Sequence, residues 1–281
     1  LERIKSILVC PECRSSLTFT SDVGCCDHCL VDYPIRNKKI YFIKVPAKSE
    51  DFLDKIKEKL KRELGKYYYT IGVNVIAPTY PFNLGNNVKK YINSKTQIVI
   101  DIGSGNNRID KNIICLDMFD YDSVDVVCDV DKLPFKENSV DAFVSRSMLE
   151  HVPDPLKLVD QFYDCTKENG FGLHLIPFLY PFHASPYDFQ RFTHKGVAIL
   201  FNEWTIVEQK NKTGPFSLLL LLIIEFLSII FSFGNYRLKA IANLCFCALF
   251  FPIKFLDVLF VNKKSFLTMA PSILTIVKKK I

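Results

Sequence analysis

Between Gln97 and about Gln209, six short apolar runs, QIVIDIG, IICLDM, VDVVCDV, VDAFVSR, GFGLHLIPF and WTIVEQ, alternate with polar or helix-forming stretches. Such runs suit strands buried on both faces, and their alternation with helical pieces is the pattern of a parallel α/β sheet. A seventh strand-like run, SILTIVKKK, lies near the end of the chain. The first three runs end in the acids Asp101, Asp117 and Asp129. Open parallel sheets bind ligands beyond the carboxyl ends of their strands, so these acids are expected to line one crevice. Gly103 and Gly105, in the turn after Asp101, allow the backbone to approach a ligand closely. The G-x-G-x-x-G fingerprint is not met, which counts against NAD.

Composition narrows the class without naming a partner. With 281 residues, 49% of them hydrophobic and 13% aromatic, the chain can bury a sizeable core, which excludes disorder and collagen. A formal charge of +6 is too mild and scattered to require nucleic acid, yet it permits an acidic membrane surface. The opening LERIKSILVC lacks the apolar length of a removable leader, and a reducing, cytoplasmic setting is expected.

Five of the ten cysteines fall between Cys10 and Cys29. Cys10-x-x-Cys13 and Cys26-x-x-Cys29 have the spacing of a four-thiolate zinc site, closed and therefore structural. Cys25 and His28 are alternative fourth ligands, although the C-x-x-C register favours Cys26. The expected organisation is a zinc ribbon over 1–45, then a helical linker and leading helices over 46–96. The catalytic sheet follows over 97–281. Leu53, Ile56, Leu60 and Leu64 recur at helical spacing within 49–66, which predicts an amphipathic helix.

The run DIGSG, the strand-end Asp117 and CDVDKLPFKENSVDAFVSRSMLEHVPDP resemble the class I S-adenosylmethionine-dependent methyltransferases related to quinone-biosynthesis enzymes. The cysteine segment, with its PxC start and YPI end, resembles zinc ribbons placed before some methyltransferases. The resemblance spans about Gln97 to Glu208 and implies a seven-stranded Rossmann-like sheet with one antiparallel strand. It further implies S-adenosyl-L-methionine as cofactor, with Asp101, Gly103 and Gly105 at the methionine part and Asp117 on the ribose. Asp129 and Val130 would meet the adenine, and Ser145 would lie beside the sulfonium. Asn106, Asn107 and Arg108 stand where the family usually continues its glycine loop, so the first crossover helix is expected to be truncated or absent.

Methyl transfer needs alignment and, for a hydroxyl acceptor, a base. His151, after the fourth strand, and His183, after the fifth, are candidates at the cleft rim. Tyr187, Asp188 and Arg191 accompany His183 and could grip a phosphate- or carboxylate-bearing acceptor, unless Asp188 and Arg191 simply pair. His174 and Trp204 are expected in the core.

Pro215 to Phe233 and Ala240 to Val261 are nearly continuous apolar segments, forming a hydrophobic helical insertion over 211–265 between the last two strands. Arg237 and Lys239 in the connection resist translocation, so a shallow hairpin in the cytoplasmic leaflet is expected, with Lys210, Lys212, Lys263 and Lys264 at its base. A soluble lid is the alternative. Either suits an acceptor with a greasy part, such as a lipid-linked saccharide or isoprenoid ring, whereas nucleic acid is not favoured. The ribbon could dock a protein partner. An RNA methyltransferase and a non-catalytic cofactor-binding scaffold are the rival functions.

Overall fold

The computed structural model describes residues 1–47, 52–183, 187–261 and 263–280. Four short strands come first: β1 (Thr18–Phe19), β2 (Val23–Cys26), β3 (Val31–Arg36) and β4 (Lys39–Tyr41). Helix α1 (Phe52–Leu64) realises the amphipathic segment; residues 49–51 of that expectation lie outside the described residues. A wide helical segment, Tyr68–Ile76, and α2 (Leu84–Tyr91) lead into the sheet. There follow β5 (Val99–Ile102), β6 (Ile114–Asp117), β7 (Val126–Val127), β8 (Val140–Arg146), α3 (Pro155–Cys165), β9 (Thr166–Pro177), α4 (His194–Leu200) and β10 (Trp204–Asn211). The insertion holds α5 (Pro215–Ile230) and α6 (Tyr236–Phe250), and β11 (Ser272–Lys279) completes the sheet.

The order β7-β6-β5-β8-β9-β11-β10 contains the seven expected strands. β7, β6, β5, β8 and β9 run parallel, while β11 is antiparallel to both β9 and β10. No helix lies between β5 and β6, as the short loop predicted. In its place Arg108 donates to the carbonyls of Ile113 (2.6 Å) and Ser123 (2.5 Å) and pairs with Asp125 at 2.9 Å. One guanidinium thus ties the β5–β6 loop to the β6–β7 loop.

Each face of the sheet has its own cover. Leu84, Val88 and Ile92, at helical spacing on and just beyond α2, meet Val99, Val144, Leu173 and Ile276 on one face. On the other, Phe162 of α3 stacks on Phe143 of β8 at 4.8 Å between centroids. Asp154 caps α3 by accepting from Lys157 N at 3.2 Å, with Pro155 opening the helix. His174 is buried between Phe162 and Phe201, and Trp204 is buried nearby, both in the core as expected.

The ribbon extends this sheet. β4 pairs in parallel with β7, so β1 to β4 continue the seven strands into an eleven-stranded sheet. Val9 N donates to Pro134 O and Lys136 N to Ile7 O, and the Arg14 guanidinium reaches the carbonyls of Leu133 and Phe135. An edge strand that would present unpaired amides is thereby covered. Within the ribbon, Cys13 and Cys26 Sγ lie 3.5 Å apart and Cys10 and Cys29 Sγ 4.0 Å. Four thiolates about 2.3 Å from one zinc stand about 3.8 Å from one another, so the donor set fits a tetrahedral zinc site. Tyr33 Oη lies 3.1 Å from Cys10 Sγ, and Cys29 N donates to Cys26 Sγ at 3.4 Å, bonds that support thiolates. Cys25 and His28 stand outside the four-sulfur group.

The insertion buries part of its apolar surface and satisfies its charges. α5 and α6 pack side by side through Leu220, Ile224 and Cys247. Lys254 and Asp257, which interrupt an apolar run in the sequence, are fully buried. Asp257 caps α5 by accepting from Phe216 N, Ser217 N and Ser217 Oγ at 2.7–2.8 Å, while Lys254 Nζ donates to the carbonyls of Asn74 and Ala77. Buried charges persist only when bonded in this way.

The ribbon geometry predicts that cobalt added to the metal-free chain produces cobalt–thiolate absorption. Cys26→Ser should lose that signal and lower the melting temperature, whereas Cys25→Ser should retain both. Equal behaviour of the two variants would contradict the four-sulfur assignment.

Candidate functional site

The carboxyl ends of β5, β6, β7 and β8 bring the sequence candidates to one edge. Asp101, the third residue of β5, is 1% exposed, and neither carboxylate oxygen has a hydrogen-bond partner among the described residues. Burial pushes its carboxyl up to about 7, against the opposing pull of Arg146 and Arg108 and with the push of Asp117. Above it, Gly103 (φ +65°) and Gly105 (φ +59°) take left-handed conformations. A Cβ on Gly103 would lie 2.3 Å from Met148 Cγ, so this position requires glycine for both backbone and space.

Asp117 is buried at the end of β6. Its Oδ2 accepts from Gly105 N at 2.8 Å and its Oδ1 from Phe119 N at 3.0 Å, so it shapes the glycine turn. Burial raises its pKa, and those amides oppose the rise. Asp129 is exposed beyond β7, accepting from Asp131 N, and the Val130 carbonyl accepts from Gln161 Nε2 at 3.2 Å. Ser145 does not line the cleft. It is fully buried, and its Oγ lies 2.9 Å from Nδ1 of the core residue His174, because the two are register partners on β8 and β9 and share one face of the sheet.

A cleft of about 310 Å³ opens over the glycine turn, lined by Gly103, Ser104, Gly105 and Asn106 below and by Tyr68, Tyr69 and Arg146. The Tyr68–Ile76 segment forms its roof, and Tyr69 Oη donates to Asn106 O at 3.1 Å. Tyr69 and Arg146 were not among the sequence candidates. An aromatic run ahead of the sheet carried no periodic signal, and Arg146 sits beside the serine that the resemblance singled out.

The second group of candidates gathers beyond β8 and β9. His151 and His183 rings meet nearly perpendicular, 5.1 Å apart between centroids. Between them lies Glu150, fully buried, its carboxylate without a hydrogen-bond partner among the described residues and its Oε1 3.7 Å from Nε2 of each histidine. Burial pushes the Glu150 carboxyl up to about 7. Burial also lowers the pKa of His183, and His151 adds to that effect. Arg191 does not reach outward to an acceptor. Its guanidinium pairs with Asp188 and donates to the carbonyls of Tyr180 and Pro181 at 3.0 Å, while Asp188 also accepts from His183 N. Together they fold the loop that presents His183. Tyr187 contributes its carbonyl, which accepts from His151 Nδ1, and the residue is 65% exposed. Residues 184–186 of this motif lie outside the described residues.

The unpartnered Asp101 carboxylate yields a signed prediction. Unfolded, it titrates near 3.9; folded, near 7. Between these values the folded chain binds more protons than the unfolded one, so stability falls as pH rises and levels off above about 7. Asp101→Asn should therefore raise the melting temperature more at pH 8 than at pH 5, by about 2–4 °C for each kcal/mol recovered. A gain independent of pH, or a loss at pH 8, would contradict the buried, unpaired carboxylate.

Residues 100–173 match the family described as "Methyltransferase domain". No curated protein matches the chain in sequence. Among solved structures, the complex of the Haloferax volcanii Trm112 methyltransferase activator with a methyltransferase aligns at 15% identity and a TM-score of 0.46, covering 83% of this chain and 100% of that one. Haemonchus contortus phosphoethanolamine N-methyltransferase 2, bound to phosphomonomethylethanolamine and S-adenosylhomocysteine, aligns at 17% identity and a TM-score of 0.48, covering 83% of this chain and 61% of that one. A Thermotoga maritima S-adenosylmethionine-dependent methyltransferase aligns at 13% identity and a TM-score of 0.46, covering 80% and 99%. The matched residues run from β5 into β9 and include the glycine turn, so this part of the sheet is similar to a methyltransferase domain.

Proposed function

We propose that this chain transfers the methyl group of S-adenosylmethionine to a partly apolar, membrane-linked acceptor. The observation that carries the donor half is Asp101, a buried carboxylate with two unpartnered oxygens beneath a left-handed glycine turn. A cationic ammonium, as on the methionine part of the cofactor, supplies the missing partner. Gly103 and Gly105 let the backbone approach, Asp117 addresses the ribose, and Asp129 with Val130 borders the adenine. Arg146 and Tyr69 close the cleft from above. When bound, the cofactor supplies a sulfonium methyl that departs with the C–S electron pair left on sulfur. His183 and His151 face the acceptor, and Arg191 and Asp188 hold His183 in place.

The acceptor half rests on the insertion. Leu219, Leu222, Phe226 and Ile230 form an exposed stripe along α5, opposite the buried Leu220 and Ile224. Leu238, Ile241, Leu249, Phe255, Leu256 and Leu259 are exposed across the following helical run. Tyr236–Leu259, 24 residues, is long and apolar enough to cross a membrane, and 17% of its apolar window is buried. An apolar surface this extensive needs cover, and a bilayer interface offers it. Lys254 bonds the inner side of this run to the end of the cleft roof, which supports reading the apolar face and the cleft as parts of one connected element. At the base, Lys210 pairs with Glu208, so the shallow hairpin relies chiefly on its apolar face.

Full-length protein should float with anionic vesicles, and a variant with residues 215–261 replaced by a short Gly/Ser turn should not. With labelled cofactor, label should enter the lipid fraction, and His183→Ala should lower that transfer at least tenfold while cofactor affinity changes little. Label entering ribosomal RNA instead, or a soluble protein that ignores vesicles, would overturn the membrane-linked acceptor. Equal loss of cofactor affinity in His183→Ala would overturn the division between donor and acceptor groups.

A further inference from the structure

We propose that Glu150, His151 and His183 form a binding site for a divalent transition-metal ion of the zinc class, separate from the ribbon's four sulfurs. Their ligand atoms all lie within 4.8 Å of one another, and the carboxylate stands 3.7 Å from each imidazole Nε2. Around a tetrahedral zinc with bonds of about 2.0–2.1 Å, neighbouring ligand atoms lie about 3.4 Å apart. The carboxylate-to-imidazole distances are therefore close to the bound geometry. His183, 37% exposed on its loop, is the ligand positioned to close the rest.

Three further features point to a cation. Among the described residues neither carboxylate oxygen of the fully buried Glu150 is hydrogen-bonded, an expensive arrangement in a protein interior unless something positive is placed beside it. The outer nitrogen of His151 faces an acceptor, and that of His183 faces two acceptors beside the Arg191 donor. His151 Nδ1 bonds the Tyr187 carbonyl; His183 Nδ1 lies 3.4 Å from Pro181 O and 3.5 Å from Asp188 Oδ2, with Arg191, 3.5 Å away, paired to that same carboxylate. A proton held on Nδ1 leaves the Nε2 lone pair turned toward Glu150, the arrangement that orients histidine ligands. The groups are also held by backbone: Phe189 N donates to Glu150 O at 2.9 Å, and Gln190 Nε2 to Val152 O at 2.8 Å, fastening the loop of His183 onto the turn that carries Glu150 and His151.

Two imidazoles and one carboxylate favour a zinc-class ion over calcium or magnesium, which prefer all-oxygen shells. Three protein ligands leave a position for an acceptor oxygen or water, and a metal there would orient that oxygen and lower its pKa. Metal binding is measurable without any methyl transfer, so a negative result here leaves the donor site untouched.

The test uses the full chain, freed of metal and titrated with zinc by calorimetry and with cobalt by absorption. Two equivalents are expected, one giving cobalt–thiolate bands from the ribbon and one without them. Glu150→Gln and His183→Ala should each remove the second equivalent or weaken it at least tenfold, while the thiolate bands persist and report an intact fold. Should Glu150→Gln unfold, His183→Ala, on a partly exposed loop, decides alone. A single zinc per wild-type chain, or two equivalents of unchanged affinity in the folded variants, would overturn the site and leave Glu150 as a buried neutral acid.

Discussion

Parallel pairing of β5 with β6 on one side and β8 on the other brings the chemistry of this chain to one edge of the sheet. Parallel strands deliver their carboxyl ends together, so the Asp101 and Asp117 strand ends, the glycine turn and the turn carrying Glu150 and His151 become neighbours although far apart in sequence. β9, parallel to β8, adds the loop of His183 to the same edge. The cost is concentrated there too. Asp101 and Glu150 are carboxylates buried without hydrogen-bond partners among the described residues, and the hydrophobic core beneath them must offset that penalty. A site that stays unsatisfied in the folded chain is prepared for cationic partners, an ammonium over Asp101 and a metal ion beside Glu150.

The periphery of the sheet is covered by elements that also tie down the site. β4 covers the edge at β7, where short parallel pairing alone would leave open amides. At the other end the insertion departs after β10 and returns into β11, which pairs with both β9 and β10. The buried Lys254 links that insertion to the Tyr68–Ile76 roof, and Asp257 caps α5, so two charges in an apolar segment serve as internal fasteners. The outer side remains apolar and exposed.

Much of this was legible in the sequence because burial on both faces makes parallel strands short and apolar, and because strand-end acids stand out against them. The missing first crossover helix followed from the few residues between Gly105 and Ile114. Arg108's role was not legible, since its partners Ile113, Ser123 and Asp125 become one group only after β6 and β7 pair. Lys254 and Asp257 read as breaks in an apolar run because sequence does not distinguish a bonded buried charge from a solvated one. Glu150 passed as part of a turn: His151 adjoins it in sequence, but His183 reaches it only through the β8–β9 pairing. Ser145 and Arg191 illustrate the reverse: residue types suited to a ligand that the fold instead commits to His174 and to Asp188.

In this proposal the crevice over Asp101 holds S-adenosylmethionine through charge. Calorimetric titration of the cofactor at pH 8 into folded wild-type chain and Asp101→Ala tests it most directly. A bond to a charged group contributes about 1.5–3 kcal/mol, so the account predicts saturable 1:1 binding by the wild type and affinity lower by about 10- to 150-fold in the variant. Absence of binding by the wild type, or equal affinity in a folded Asp101→Ala variant, would contradict it.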